Sequence, residues 1–281
     1  MRDIKFLYST HNDLPAIKKL WESVFKDHEI FIDQFFHHLY QDNILIAKIE
    51  DEIVAMATLL PATFISNGKK YSMRYVYACA TALSFRGQKI MSKILDKAFE
   101  DTVNKGEAGL FLLPSNDELY DFYRKNGFQE FFYHDTQEFL FSDFAEKKCD
   151  TYSVRKILAK EYFSLRNSYL QNKDALHYPL SHFQFLDDAK INYPAKFYEI
   201  LCEHKNVAIG FIEKNREEIL VREFLCKEFN TDMLYAISLQ FEYNKILLHT
   251  PGKTYRDAML RSEKKLLFEK GATGYFNFAL D

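Results

Sequence analysis

The chain has 281 residues, 47% of them hydrophobic and 27% charged, with a formal net charge of −3. These are the proportions of a globular protein long enough for two units. With 37 basic residues against 40 acidic ones there is no cationic excess to grip a phosphate backbone, so no nucleic-acid partner is expected.

The N-terminus, Met1-Arg2-Asp3-Ile4-Lys5, has no apolar signal core, and the longest largely apolar run, Ile53 to Ile65, is too short to span a bilayer. Cys79, Cys149, Cys202 and Cys226 are scattered, with no CxxC pair. A cytoplasmic protein without membrane contact is the expectation.

In chain order, Ile4 to Tyr8 reads as a strand. Asp13 and Pro15 then open a helix with Ile17, Leu20, Trp21, Val24 and Phe25 on one face. Phe31, Ile32, Phe35, Phe36 and Leu39 mark a second helix. Ile44 to Ile49 and Ile53 to Ile65 are strands, and Asn67-Gly68 signals a hairpin into a strand over Tyr71 to Leu83. After Arg86-Gly87-Gln88, a helix keeps Ile90, Met91, Ile94, Leu95, Ala98 and Phe99 in helical spacing. Ala108 to Leu113 is a short central strand. Asn116 or Ser115 caps the next helix, which stops at Asn126-Gly127, and Phe128 to Leu140 is one long strand.

The polar stretch near 142–153 reads as a boundary, giving units 1–145 and 146–281. In the second, Val154 to Leu170 and Ser181 to Ala189 read as helical. Phe197 to Glu203, Val207 to Glu213 and Glu218 to Lys227 read as strands, Thr231 to Phe241 as a helix and Lys245 to His249 as a strand. A helix over Tyr255 to Lys270 and a strand over Thr273 to Leu280 close the chain. The element order repeats that of the first unit. The expected class is α/β with mixed (α+β) sheets in two tandem units. The second is degenerate, because Glu228-Phe229-Asn230 stands where the first has its Arg-Gly turn.

That turn is the chemical signal. A strand, a one-glycine turn and a helix aim the free N–H groups of a helix N-terminus at one point, which suits an anion. Arg86 to Met91 lacks GK[ST] and GxGxxG, so it is neither a triphosphate loop nor a dinucleotide fingerprint. Together with Asn116 and Tyr123-Arg-Lys-Asn-Gly127-Phe128 at the matching interval, it resembles the Gcn5-related N-acetyltransferase (GNAT) family over about residues 1–141. The tandem layout resembles the Eis-type branch. Arg86 and Gly87 match that family's pyrophosphate loop, whereas Lys89 and Met91 stand where it prefers small residues.

The resemblance implies acetyl-CoA as acetyl donor and direct attack by a primary amine of a small molecule or peptide. It also implies roles for individual residues. Arg86, Gly87, Gln88, Lys89, Ile90 and Met91 would cradle the pyrophosphate. Backbone groups from Ala80 and Thr81 to Leu83 would hold the pantetheine arm and thioester, and Asn116 would contact that arm or simply cap its helix. Tyr123 would protonate the leaving thiolate. For the general base, Glu52, His134, Asp135, Glu138 and Glu223 stand as candidates beside water. No metal is expected, since none of the nine histidines pairs with Cys or Glu at ligand spacing. The alternative reading is a non-catalytic acyl-CoA-binding module, or a transferase of another acyl or aminoacyl group.

Overall fold

The computed structural model describes residues 3–144, 151–171, 173–189 and 194–264. The first half supplies β1 (Ile4–Tyr8), α1 (Leu14–Phe25), α2 (Glu29–Leu39), β2 (Ile44–Ile49), β3 (Glu52–Ser66), β4 (Lys69–Thr81), α3 (Ile90–Asn104), β5 (Gly109–Leu112), α4 (Asp117–Lys125), β6 (Gln129–Glu130) and β7 (Tyr133–Leu140). Then come β8 (Tyr152–Lys156), α5 (Ala159–Tyr169), β9 (Ala175–His177), α6 (Leu180–Asp188), β10 (Lys196–Cys202), β11 (Lys205–Lys214) and β12 (Ile219–Cys226). The last described elements are α7 (Thr231–Phe241), β13 (Lys245–Pro251), β14 (Tyr255–Arg256) and β15 (Met259–Ser262).

These strands form two mixed sheets. The first runs β1-β2-β3-β4-β5-β15-β6, with β9 added to β3; the second runs β14-β7-β13-β12-β11-β10-β8. In each, antiparallel strands lead through a helix to one parallel pair, β4 with β5 and β12 with β13. The mixed α/β class read from the sequence is what the chain adopts.

The sheets exchange strands. β7, from the first half, lies antiparallel to β13 in the second sheet. β15, from the second half, lies antiparallel to β5 in the first. The single strand expected over Phe128 to Leu140 is accordingly two, parted at Phe131 and Phe132, whose N–H groups both donate to the Ala258 carbonyl. The helix expected from Tyr255 is replaced by β14 and β15. Ala258, Met259 and Leu260 are all buried, and so short a run gives no periodicity to tell helix from strand. The rest of that element, the final strand and the expected boundary at 145/146 lie outside the described residues. Val154 to Leu170 also divides, into β8 and α5, with Val154 paired to Ile200. Asp13 does not cap α1 with its side chain; its carboxylate accepts from Thr10 N–H and from Lys48 Nζ at 2.6 Å.

Gly109 makes the exchange possible. Its φ is +154°, and an added Cβ would run into the Arg261 carbonyl oxygen on β15. Gly109→Ala is expected to destabilise the protein by about 1–3 kcal/mol. The checks are a lower denaturant midpoint and lost amide-exchange protection at 259–262.

One apolar core lies against α1, α2, α5 and α6 and joins both sheets, with Phe31 and Phe35 of α2 touching Phe185 of α6. A second core fills the opposite face of the first sheet under α3 and α4, and a third lies under α7. α7 shows the sequence logic plainly: Met233, Leu234, Ile237 and Phe241 recur at helical spacing and are all buried.

Two half-buried histidines couple this packing to pH. Burial is the first cause that lowers His177 and His249 from 6.5 to about 4; neighbouring groups add at both, the cations Arg166 and Lys70 for His177, and the His134 ring and Arg222 for His249. Both are held neutral in the fold, so between these limits the unfolded chain binds more protons. Stability is therefore full above about 6.5 and falls as pH drops towards about 4. Urea midpoints across that window should decline with acid, and His249→Gln should flatten the slope.

Candidate active site

The site is built where β4 leaves β5. The two strands pair at Met73–Gly109, Arg74–Leu110 and Tyr75–Phe111 only, while β4 runs on to Thr81. At the last shared rung the rings of Tyr75 and Phe111 stack at 5.0 Å, with 6° between their planes. Beyond that stack, β4 is bonded to β3 alone, and a wedge opens along its other edge. The divergence is assisted by a bulge: Met56 faces Ala80 and Thr58 faces Tyr77, so Ala57 opposes both Ala78 and Cys79. Ala78 adopts a φ of +50° to accommodate it.

Ala80 is buried and paired to Met56; Thr81, next along, pairs with Ala55. Leu83 follows, 80% exposed, in a 3-10 turn over Leu83–Phe85. The Arg86 Nε donates to the Thr81 carbonyl at 3.2 Å, and the Gln88 side chain donates to the Ser84 carbonyl. Gly87 has a φ of +77° with open space around its α-carbon. Lys89 is the residue before α3, left-handed at φ 57°, exposed, and no side chain caps the helix at this position. The first-turn N–H groups of α3 thus point outward beside a free ammonium. Ile90 is buried, and Met91 packs against the core under α3. The two residues that depart from small side chains are directed away from each other, one to solvent and one to the core.

Asn116 is the N-cap of α4, its Oδ1 accepting from Leu119 N–H at 3.1 Å. Tyr123, two turns on, is 7% exposed and edge-on to Phe128, and it lies beside the Cys79 thiol in the bulge of β4. Burial, reinforced by Cys79, holds the Tyr123 phenol well above its ordinary 10. The same burial lifts the Cys79 thiol to about 12. The Tyr123–Cys79 contact bridges α4 and β4 across the wedge. Nothing in the sequence signalled Cys79, which reads as a small buried residue; the bulge that turns it towards Tyr123 depends on strand pairing.

The candidate bases are dispersed. Glu223 is buried against Arg166, Glu138 pairs with Lys245, and Asp135 accepts from Lys253 and Thr254 N–H. Glu52 is exposed at the start of β3, near the Thr81 end of β4. His134 alone is oriented by a carboxylate, with Nδ1 2.6 Å from Asp257. Among the described residues no group of His, Cys, Asp and Glu could hold a metal ion, and no helix is long and apolar enough to cross a membrane.

Residues 6–131 match the acetyltransferase (GNAT) domain family, so the chain carries a GNAT domain and is an acyltransferase. Whole-chain likeness in solved structures agrees on the fold. The chain is similar to a GCN5-related N-acetyltransferase from Kribbella flavida (16% identity, TM-score 0.72, covering 94% of this chain and 72% of that one). It is also similar to one from Anabaena variabilis (13%, 0.74, 92% and 73%) and to Eis1 from Mycobacterium abscessus (13%, 0.65, 92% and 73%). No curated protein sequence matches the chain.

Proposed function

We propose that the wedge between β4 and β5 binds acetyl-CoA and passes its acetyl group to a primary amine of a small molecule or peptide. The observation that carries this reading is the conjunction of a one-sided β4 edge with the uncapped start of α3. A pantetheine arm carries amides that extend a strand edge as an added strand does. A pyrophosphate takes the N–H groups of a helix N-terminus. Residues Arg86 to Met91 form the cradle in this proposal, with Lys89 adding its charge in place of a closer backbone approach. Ala80, Thr81 and Leu83 line the arm, and Asn116 fixes the start of α4.

The reaction is direct. A neutral amine attacks the thioester carbonyl, the C–S bond breaks, and Tyr123 donates its phenolic proton to the departing thiolate. The amine proton goes to water in this scheme, and Tyr123 regains its proton from water, since three of the candidate carboxylates are engaged in contacts that hold the fold. Cys79, Cys202 and Cys226 are free thiols, which supports a reducing compartment as the place of action.

The test is calorimetry with acetyl-CoA and CoA, followed by a free-thiol assay over a panel of amines. Arg86→Glu should weaken both cofactors together. Binding without thiol release for any amine would favour the non-catalytic module; no binding of either cofactor would remove the proposal.

A further inference from the structure

The second sheet splits as the first does. β12 and β13 pair at Ile219–Ile246, Leu220–Leu247 and Val221–Leu248 only, and then part. A cavity of about 400 Å³ opens on the diverging side, within the size range of small-molecule sites. Phe224 and Cys226 of β12, Leu248 of β13, and Leu170 and Phe229 line it. Most of its wall is aliphatic or aromatic, with Gln137 and Thr250 as neutral polar members.

The ligand proposed for the first wedge does not suit the second. The start of α7 is closed by its own cap, with Asn230 Oδ1 accepting from Asp232 N–H at 2.9 Å. The Asp232 carboxylate in the first turn adds negative charge where a phosphate would have to sit.

Two charged residues line the cavity. Asp174 has both carboxylate oxygens engaged, accepting from Ser66 Oγ at 3.0 Å and from Asn67 N–H at 2.8 Å. Lys173 is exposed, and its charge reaches the cavity wall, where it opposes the upward push that burial gives the Cys226 thiol. An apolar chamber with one ammonium left over is complementary to an aliphatic chain ending in a single carboxylate.

We infer that the wedge between β12 and β13 is a binding site for a medium-chain fatty acid, its chain among Leu170, Phe224 and Leu248 and its carboxylate at Lys173. The inference does not depend on acetyl transfer in the first wedge.

Octanoate is the probe, titrated against the full chain while N-ethylmaleimide labels its thiols and mass spectrometry resolves each cysteine. Octanoate should slow labelling of Cys226 saturably and leave Cys202 unchanged. Octylamine and acetate should not protect, the first lacking the carboxylate and the second the chain. Acetyl-CoA should not protect Cys226 either. Lys173→Glu should weaken octanoate by roughly tenfold or more, as loss of a charge-assisted contact does. The comparison of octanoate with octylamine on the unaltered protein keeps the test decisive if that variant folds poorly. Unchanged labelling of Cys226 at millimolar octanoate would overturn the inference, as would equal protection by octylamine or by acetyl-CoA.

Discussion

Replacing Tyr123 by Phe is expected to lower turnover about a hundredfold or more while leaving acetyl-CoA affinity unchanged. The ring packs between α4 and β4 beside Phe128, so Phe keeps the apolar contacts and removes only the hydroxyl. Because burial and Cys79 hold the phenol well above 10, it stays protonated across the ordinary working range, ready to donate as thiolate charge develops. The rate should therefore show no alkaline fall from this group below pH 10. Lost stability should stay within about 1 kcal/mol, since only the hydroxyl is removed and the ring packing is kept. Cys79→Ala separates the roles, because it removes the thiol beside the hydroxyl without removing the hydroxyl. Thiol release by Cys79→Ala should match or exceed that of the unaltered enzyme. Turnover by Tyr123→Phe equal to the parent's would remove Tyr123 as the acid.

The largest stability effect is expected at Arg166. Arg166 and Glu223 are both wholly buried, with Arg166 Nε 3.0 Å from Glu223 Oε2. Tyr162 donates to the same carboxylate at 2.8 Å, and Arg166 Nη1 donates to the Leu176 carbonyl at 2.9 Å. Leu176 belongs to β9, which pairs with β3 of the first sheet. The guanidinium thus fastens α5 and β12 to β9, a strand of the first sheet. Arg166→Ala would leave a carboxylate buried without its cation, at a cost of about 3–5 kcal/mol. In a chain of this size that lowers the thermal midpoint by on the order of 10 °C. Arg166→Met combined with Glu223→Leu should recover most of the loss, because an apolar pair has no charge to strand. If the single and double variants melt alike, packing and not charge is what Arg166 contributes.

Much of the scaffold was legible because its signals are local. Asn67-Gly68 marks the hairpin between β3 and β4, and the apolar spacing in Thr231 to Phe241 gives α7 with its observed ends. Arg86-Gly87 marks the strand-to-helix turn and Asn116 the cap of α4. What escaped is set by partners distant in sequence. Phe128 to Leu140 has strand character throughout, but nothing in it says that β6 and β7 join different sheets. β8 was hidden because Tyr152 to Lys156 runs directly into a helix. The bulge at Ala78 and the approach of Cys79 to Tyr123 arise from the register between β3 and β4, which no single segment carries.

The exchange of β7 and β15 also constrains how the molecule can be made. β5 ends at Leu112 and its neighbour β15 begins at Met259, a gap of 259 − 112 = 147 positions. At ordinary rates of translation the edge of β5 waits on the order of ten seconds for its partner strand. Through that interval its N–H and C=O groups stand open to any other extended chain. Neither half expressed alone contains all the strands of its own sheet. During synthesis that edge must stay clear of other extended chains until β15 arrives.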